Sequence, residues 1–451
     1  MICKFRKLHI SKITRRIILQ VNSQNIQPER YKGHQSIYRN VMLLFIISLG
    51  LGDYFKIFSV RILYLVTLAL IILSVNNWGI GSGSVLNAKY RKMIKFGFFW
   101  LIYSVITLVF AVDFSLWIHQ YKTLLLNFLV VYLMVKYIKS VNDWMWIAKC
   151  VIFLLVVMVI VGFWEICTGN HIHFFDSMSV SPRTVELLQN APFTFYGNIN
   201  DNGSALFMCT VIMTLYVVYN WNCLKYKEAY FILGFCAVYQ MFKTSARGVV
   251  YSLPLLLAFI FFFRILLKFK RSQSRNLYIG IIVAIIYMIL LALMLHSPGY
   301  YLSLLKGKSE YVSSGNYDSD LFRLGLIWNS FLSFIHTLGL GLGPGQSIIV
   351  DGINLHNFYF EVLFEYGFVG GYFIYQIFKL SFIKKTTLAK NVDAMIMSMP
   401  YVLILLGLSS SHFFSIKITW VFLTLLFCLK YGDFDKNKVV ANENERILYN
   451  I

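Results

Sequence analysis

The sequence predicts an all-α polytopic membrane protein with about twelve transmembrane helices and a large external loop between the ninth and the tenth. Hydrophobic side chains make up 58% of the 451 residues and charged side chains only 14%, whereas soluble domains carry roughly 25% charged residues. The mean hydropathy is +0.66. Apolar runs recur along nearly the whole chain, close to the ~20 residues that a helix needs to cross a bilayer. Little of the chain is left for a large soluble domain.

Twelve apolar segments are candidate spans by hydropathy and periodicity. They lie near residues 41–55, 61–76, 96–112, 123–135, 150–167, 204–221, 229–242, 248–263, 277–296, 357–378, 395–410 and 416–429. The predicted regions are a basic cytoplasmic tail at 1–40, nine helices within 41–296 with an external loop at 168–203, an external loop with amphipathic or re-entrant segments at 297–356, three helices within 357–430, and a cytoplasmic tail at 431–451.

The net charge of +21 can suggest a nucleic-acid partner, but its distribution favours a membrane. About three quarters of the Lys and Arg residues fall in alternate connections, such as 89–95 and 264–275, and in the two tails. By the positive-inside rule this pattern places both termini in the cytoplasm. No apolar core closely follows the first charges, so we expect no cleavable signal peptide. We expect membrane lipid and no nucleic acid as a partner.

Metal and disulfide chemistry are not indicated by the cysteine and histidine spacing. The seven cysteines are scattered without a Cys-x-x-Cys pair, which is typical of small core residues. His171 and His173 form a His-x-His pair without an obvious further set of ligands. We therefore expect no metal and no other cofactor.

Arg247 and Arg323 are notable because few basic residues fall on the predicted external side, where the two long loops are acidic. Arg247 lies in KTSARGVV at the start of the eighth span, and Arg323 lies in DLFRLGLIW between apolar residues. An arginine at a span end can simply extend towards lipid headgroups, and either one can pair with Asp or Glu. Two fixed arginines can also hold a phosphate or pyrophosphate bidentately.

His356 and Asn357 come directly before the tenth span, after the glycine-proline run Gly339–Gly345. A histidine there is water-accessible and can act as a general base, although a lone histidine is more often a hydrogen-bonded structural residue. Glu361 and Glu365 are four residues apart and share a helix face. They can orient the histidine, pair with an arginine or carry protons. The glycines suit a re-entrant break or an ordinary loop.

Together these motifs resemble the O-antigen ligase and polymerase superfamily. The resemblance covers roughly residues 195–430 and rests on the order of GNINDNGSALF, TSARG, FRLGLIW, GLGLGPG, HNFYFEVLFEYGFVGG and SSSHFFSIKITW. It implies a metal-independent inverting glycosyltransferase that acts on a glycan linked to undecaprenyl pyrophosphate. His356 would be the catalytic base, and the substrate-binding residues would be Arg247, Arg323, Asn357, Glu361 and Glu365. A flippase and a chain-length regulator are the implied protein partners.

Within this superfamily we favour a Wzy-type polysaccharide polymerase of capsule, exopolysaccharide or O-antigen assembly, because the external loops are acidic and extended enough to hold two glycans. A ligase that passes a finished glycan to another acceptor has the same motifs. A flippase for lipid-linked oligosaccharides is a third alternative, in which buried acids such as Glu165 and Glu365 couple to protons. Against it, the sequence shows no duplicated halves, which many transporters have.

Overall fold

A computed structural model shows a bundle of long helices. It describes residues 29–50, 56–57, 60–76, 88–138, 140–172, 191–196, 198–244, 246–268, 328, 331–347, 358–379, 390–409 and 416–431. Within these ranges the helices are α1 (Glu29–Gly50), α2 (Ile62–Asn76), α3 (Ala88–Ile106), α4 (Phe114–Tyr137), α5 (Val141–Thr168), α6 (Ile199–Tyr219), α7 (Lys227–Lys243), α8 (Arg247–Lys268), α9 (Phe358–Lys379), α10 (Lys390–Ser409) and α11 (Lys417–Tyr431).

Two short elements join these helices. A 3₁₀ turn, Thr107–Phe110, continues α3, and the strands β1 (Lys56–Ile57) and β2 (Val60–Arg61) form a two-residue antiparallel pair. The fold is thus almost entirely helical, as the sequence predicts. Four helices begin eight to twelve residues before the predicted spans, namely α1, α3, α4 and α5, at Glu29, Ala88, Phe114 and Val141. The start of α1 lies inside the segment predicted as a tail. Hydropathy marks only the apolar part of a helix, and the first turns of α1 are polar.

Among the residues that the structure describes, three helices, α4, α5 and α6, are long and apolar enough to cross a membrane. Shorter apolar stretches lie in α1, α2, α3 and α8, at Ile37–Gly50, Ile62–Ser74, Ile94–Phe110 and Gly248–Arg264. The structure therefore supports an apolar helical bundle, and the number of twelve spans stays a prediction. The predicted span at 277–296 lies outside the described residues.

Capping residues fix where several helices begin or end. The Asp113 side chain accepts the N–H groups of Ser115 and Leu116 at the start of α4. Ser140 and Asp143 form a capping box at the start of α5, and Gly169 ends that helix in the left-handed conformation. Such caps satisfy backbone groups that a helix end leaves without a partner.

The helices alternate in direction, and side-chain hydrogen bonds show which ends lie together. At one end, Lys136 Nζ near the end of α4 donates to the carbonyl oxygen of Ser74 in α2. At the same end, Trp144 Nε1 near the start of α5 donates to the carbonyl oxygen of Leu425 in the second half of α11. The opposite end therefore holds the start of α4, α6, α8, α9 and α11, and we call it the site end.

Helix α11 is the centre of the bundle. All of its side chains from Lys417 to Tyr431 are buried, and it packs on α4 and α6. A helix that is apolar all round is buried on every side. Helices α8 and α10 pack together through the buried Phe259 and Phe263, whose rings lie 4.7 Å and 5.7 Å from that of Tyr401.

Two native cysteines can test the predicted orientation. Cys167 in the last turn of α5 and Cys223 after α6 are both exposed and lie at opposite ends of the bundle. A membrane-impermeant maleimide applied to intact cells should label a variant that keeps only Cys167. A variant that keeps only Cys223 should react after permeabilisation. The reverse pattern would mean that the site end faces the cytoplasm.

Candidate active site

Helix α9 is broken at Gly367. This residue has φ 55° and ψ −139°, so the helix runs from Phe358 to the break and resumes towards Lys379. A break leaves carbonyl oxygens without helical donors, and in an apolar environment such groups need other partners. The sequence supplies those partners from a distant segment.

The partners come from residues 339–345, which we call the glycine loop. The N–H groups of Leu342 and Gly343 donate to the carbonyl oxygens of Phe364 and Glu365, both at 2.9 Å. On the other side of the break, the N–H of Phe368 donates to the carbonyl oxygen of Gly339 at 2.9 Å. The glycine loop thus replaces the missing helical hydrogen bonds of α9.

Glycine is required in this loop by both conformation and space. Gly339, Gly341, Gly343 and Gly345 all have φ between 75° and 97°, a region that L side chains rarely adopt. A Cβ at Gly341 would lie 2.6 Å from the carbonyl oxygen of Glu365. The repeated glycines therefore allow two backbones to approach closely.

The glycine loop is also attached to the connection between α3 and α4. Gln346, which follows it, accepts the N–H groups of Val112 and Asp113 through Oε1, at 2.8 Å and 3.0 Å. Its Nε2 donates to the carbonyl oxygen of Asp113 at 2.9 Å. The hydroxyl of Tyr103 in α3 donates to the carbonyl oxygen of Leu340. The predicted external loop is thus packed into the bundle at residues 339–347.

Glu365 is buried beside the break, where its Oε1 accepts the hydroxyl of Ser347 at 2.8 Å. Glu361 lies one turn earlier and is partly buried, so the two carboxylates share a helix face, as predicted. The bond to Ser347 joins the residue that follows Gln346 to α9. Phe358, which begins α9, is buried.

The first turn of α9 packs against the end of α10. The Tyr359 hydroxyl donates to the carbonyl oxygen of Leu403 at 2.9 Å, and a Cβ at Gly407 would lie 2.8 Å from the Tyr359 ring. Helix α8 packs on the same part of α10. Its first residue, Arg247, lies twelve residues before Phe259, which stacks on Tyr401, so α8 extends about one turn past Ser409 at a rise of about 1.5 Å per residue.

The structure brings some of the predicted site residues together and does not describe others. Glu361 and Glu365 lie in α9 beside the glycine loop, and the backbone of Arg247 begins α8. Arg323, His356 and Asn357 lie outside the described residues, and His356 comes two residues before Phe358 in sequence. Their predicted roles stay predictions.

A second polar cluster at the site end surrounds Glu165 in the last turn of α5. Its Oε2 accepts the N–H groups of Phe193 and Thr194, both at 2.7 Å, and its Oε1 accepts that of Ile172 at 3.3 Å. His171 Nδ1 is 3.9 Å from Oε1. The carboxylate thus fastens the connection between α5 and α6. In that connection, burial raises the pKa of the Tyr196 hydroxyl well above its ordinary value, so this group stays a neutral phenol.

An apolar cavity of about 70 Å³, partly open to its surroundings, lies between α3, α4, α9 and α11. Trp100 lines it, and the same ring makes an edge contact of 5.1 Å with Tyr366, directly before the break in α9. The rest of the wall is aromatic and aliphatic, including Phe128, Phe373 and Trp420. The cavity is therefore an apolar space beside the candidate site.

The sequence is similar to that of one characterised protein of polysaccharide biosynthesis. Over 358 residues it is 22% identical to the teichuronic acid biosynthesis protein TuaE of Bacillus subtilis (strain 168), and the alignment covers 75% of this chain and 71% of that protein. No protein-family profile matches the chain. This similarity and the apolar helices support a membrane protein related to polysaccharide biosynthesis.

Replacing Gly367 by alanine tests the break in α9. A Cβ there would overlap the carbonyl oxygen of Gly339, and φ 55° strains any L side chain. We expect a loss of at least ~2 kcal/mol of stability, seen as a lower midpoint of thermal unfolding in detergent. As a control, Gly234→Ala should leave the midpoint equal or higher, because a Cβ there meets only the end of the Met213 side chain at 3.3 Å. Equal unfolding midpoints for the Gly367→Ala and Gly234→Ala variants would mean that the break at Gly367 is not needed for stability.

Proposed function

We propose that this protein is a Wzy-type polysaccharide polymerase of the bacterial cytoplasmic membrane. It transfers a growing glycan from undecaprenyl pyrophosphate to a sugar hydroxyl of another lipid-linked repeat unit on the external face, with both termini in the cytoplasm. The packing of α8 and α9 carries the proposal: α8 begins at Arg247, α9 begins two residues after His356, and both pack at the end of α10. This arrangement supports joint action of the two residues at one place.

The proposed reaction is a single displacement at the anomeric carbon. His356 takes the proton of the attacking hydroxyl while the bond from the anomeric carbon to the pyrophosphate oxygen breaks on the opposite face, which inverts the configuration. Arg247 and Arg323 stabilise the negative charge that develops on the leaving pyrophosphate, without a metal. Asn357, Glu361 and Glu365 hold the substrate and orient the base.

The apolar cavity next to the break suits this substrate. A polyprenyl tail is apolar along its whole length, and a cavity lined by Trp100, Phe128 and Phe373 offers it a surface inside the bundle. The similarity to a teichuronic acid biosynthesis protein supports the same class of product. A capsule, exopolysaccharide, O-antigen or teichuronic acid polymer fits the proposal equally.

Transport is less well supported by the described geometry. Transporters that use broken helices direct the free ends of the half-helices at substrate or ions. In α9 the carbonyl oxygens of Phe364 and Glu365 already accept N–H groups of the glycine loop. Glu165, a predicted proton carrier in a flippase, accepts three backbone N–H groups. Both features favour a fixed site.

The surface glycan of cells that carry His356→Ala, Arg247→Ala or Arg323→Ala tests the proposal. Each variant should insert at the wild-type level, abolish long polymer and accumulate single lipid-linked repeats outside, since each removes a group that acts in the transition state. A sizing gel and analysis of the lipid-linked pool measure both effects.

Two residues of the same types serve as controls. Arg264 lies at the far end of α8, and His336 is an exposed histidine before the glycine loop. Arg264→Ala and His336→Ala should both leave polymer length unchanged. Long polymer that stays on its lipid carrier would identify a ligase. Repeats that accumulate on the cytoplasmic side would identify a flippase and refute the assigned site.

A further inference from the structure

The cluster around Glu165 has no part in the proposed chemistry, yet its carboxylate accepts three backbone hydrogen bonds. Glu165 is fully buried, and its three backbone donors come from Ile172 and from Phe193 and Thr194. A carboxylate leaves water at little cost only where strong donors replace its hydration. Its position therefore fixes both ends of the connection that leaves α5 and returns to α6.

The next link runs from this connection to α6. The Thr194 hydroxyl donates to Asn202 Oδ1 at 2.6 Å, and Asn202 Nδ2 donates to the carbonyl oxygen of Pro192 at 2.8 Å. Thr194 has φ 49°, which is costly for a β-branched residue and persists only where neighbours hold it. The buried side chain of Asn202 thus ties the held segment to the first turns of α6.

The last link runs from α6 to the start of α8. Gly203 follows Asn202, and a Cβ at Gly203 would lie 3.0 Å from Thr244 Oγ1 and 3.4 Å from the Cβ of Ala246. Thr244 ends α7 and Ala246 directly precedes Arg247. Glycine lets α6 approach the turn between α7 and α8 this closely, so the position of α6 sets the position of the turn.

We propose that Glu165 is a positioning residue for Arg247. Its carboxylate holds the Pro192–Thr194 segment, Asn202 passes that constraint to α6, and Gly203 fixes the turn from which Arg247 begins α8. These contacts hold the backbone at the start of α8, where Arg247 lies, in one position at the site end. The role of Arg247 in binding pyrophosphate rests on the proposed function. The contacts through which Glu165 holds the turn do not depend on that function.

Cysteine reactivity tests the hold without any glycosyl transfer. Ala246→Cys places a thiol at a buried position directly before Arg247, in a protein whose Cys167 is replaced by serine. The rate at which this thiol reacts with a maleimide is measured on the purified chain in detergent. Glu165→Gln should raise that rate about fivefold or more, because one carboxamide oxygen replaces two carboxylate oxygens that serve three donors. The rate at Cys428, which is buried near the opposite end of the bundle, should not change.

Two outcomes of this measurement would overturn the proposal. An unchanged rate at position 246 would mean that the carboxylate does not hold the turn. An equal rise at the buried Cys428 would mean that Glu165 stabilises the whole bundle. Glu228→Gln, which removes an exposed acid at the other end of α7, is the matched control and should leave both rates unchanged.

Two asparagines of the motif GNINDNGSALF test whether the constraint from Glu165 reaches the turn through Asn202. Asn202→Ala breaks the links to Thr194 and Pro192 and should raise the rate at position 246. Asn198→Ala loses only its cap bond to the N–H of Asn200 at 2.9 Å and should raise it much less. Equal effects of the two replacements would refute the path through Asn202.

A double replacement connects the hold to activity. If Glu165 acts through Arg247, Glu165→Gln combined with Arg247→Ala should shorten the polymer no more than Arg247→Ala alone. Losses that multiply would show that Glu165 acts apart from Arg247 and would overturn the positioning role. Wild-type polymer in Arg247→Ala cells would instead refute the proposed function, and the cysteine rates would still decide whether Glu165 holds the turn.

Discussion

The site end depends on the backbone hydrogen bonds between the glycine loop and the broken helix α9. In an apolar bundle a helix can be interrupted only where another segment supplies donors and acceptors at the gap. Leu342, Gly343 and Gly339 supply them, and every glycine of this loop has a conformation that other residues avoid. The position of Glu365, its bond to Ser347 and the first turn of α9 all follow from this one junction.

A buried carboxylate has a comparable role at the end of α5. Glu165 organises the return from α5 to α6 through three backbone donors, as the glycine loop supports the broken helix α9. In both places, polar groups inside the bundle are matched by partners from another segment of the chain. Helix α10 joins the two helices that begin near the candidate site, since it contacts α9 through Leu403 and α8 through Tyr401.

The sequence predicted the helical class, most helix positions and the shared face of Glu361 and Glu365, because hydropathy and helical periodicity are local properties. It also marked the glycine run as a turn or a re-entrant break. It could not show that the glycine loop supplies the hydrogen bonds missing from α9, because these bonds depend on the folded backbone. It also could not show that Gln346 and Tyr103 anchor the loop, since their bonds join residues more than 230 positions apart. In the cluster around Glu165, Asn202 lies in the Asn-rich motif GNINDNGSALF, but its bonds to Thr194 and Pro192 were not predictable from that motif. Whether His356 and Arg323 meet Arg247 stays a prediction.

The burial of α11 has a consequence for how the chain is made. This helix is the last of the described helices, and all of its side chains from Lys417 to Tyr431 are buried among helices that were synthesised earlier. Until it arrives, α4 and α6 lack one of the surfaces on which they pack. The earlier helices must therefore stay loosely packed in the membrane until α11 is inserted. A chain truncated before residue 417 would expose this unfilled centre to the machinery that removes incomplete membrane proteins.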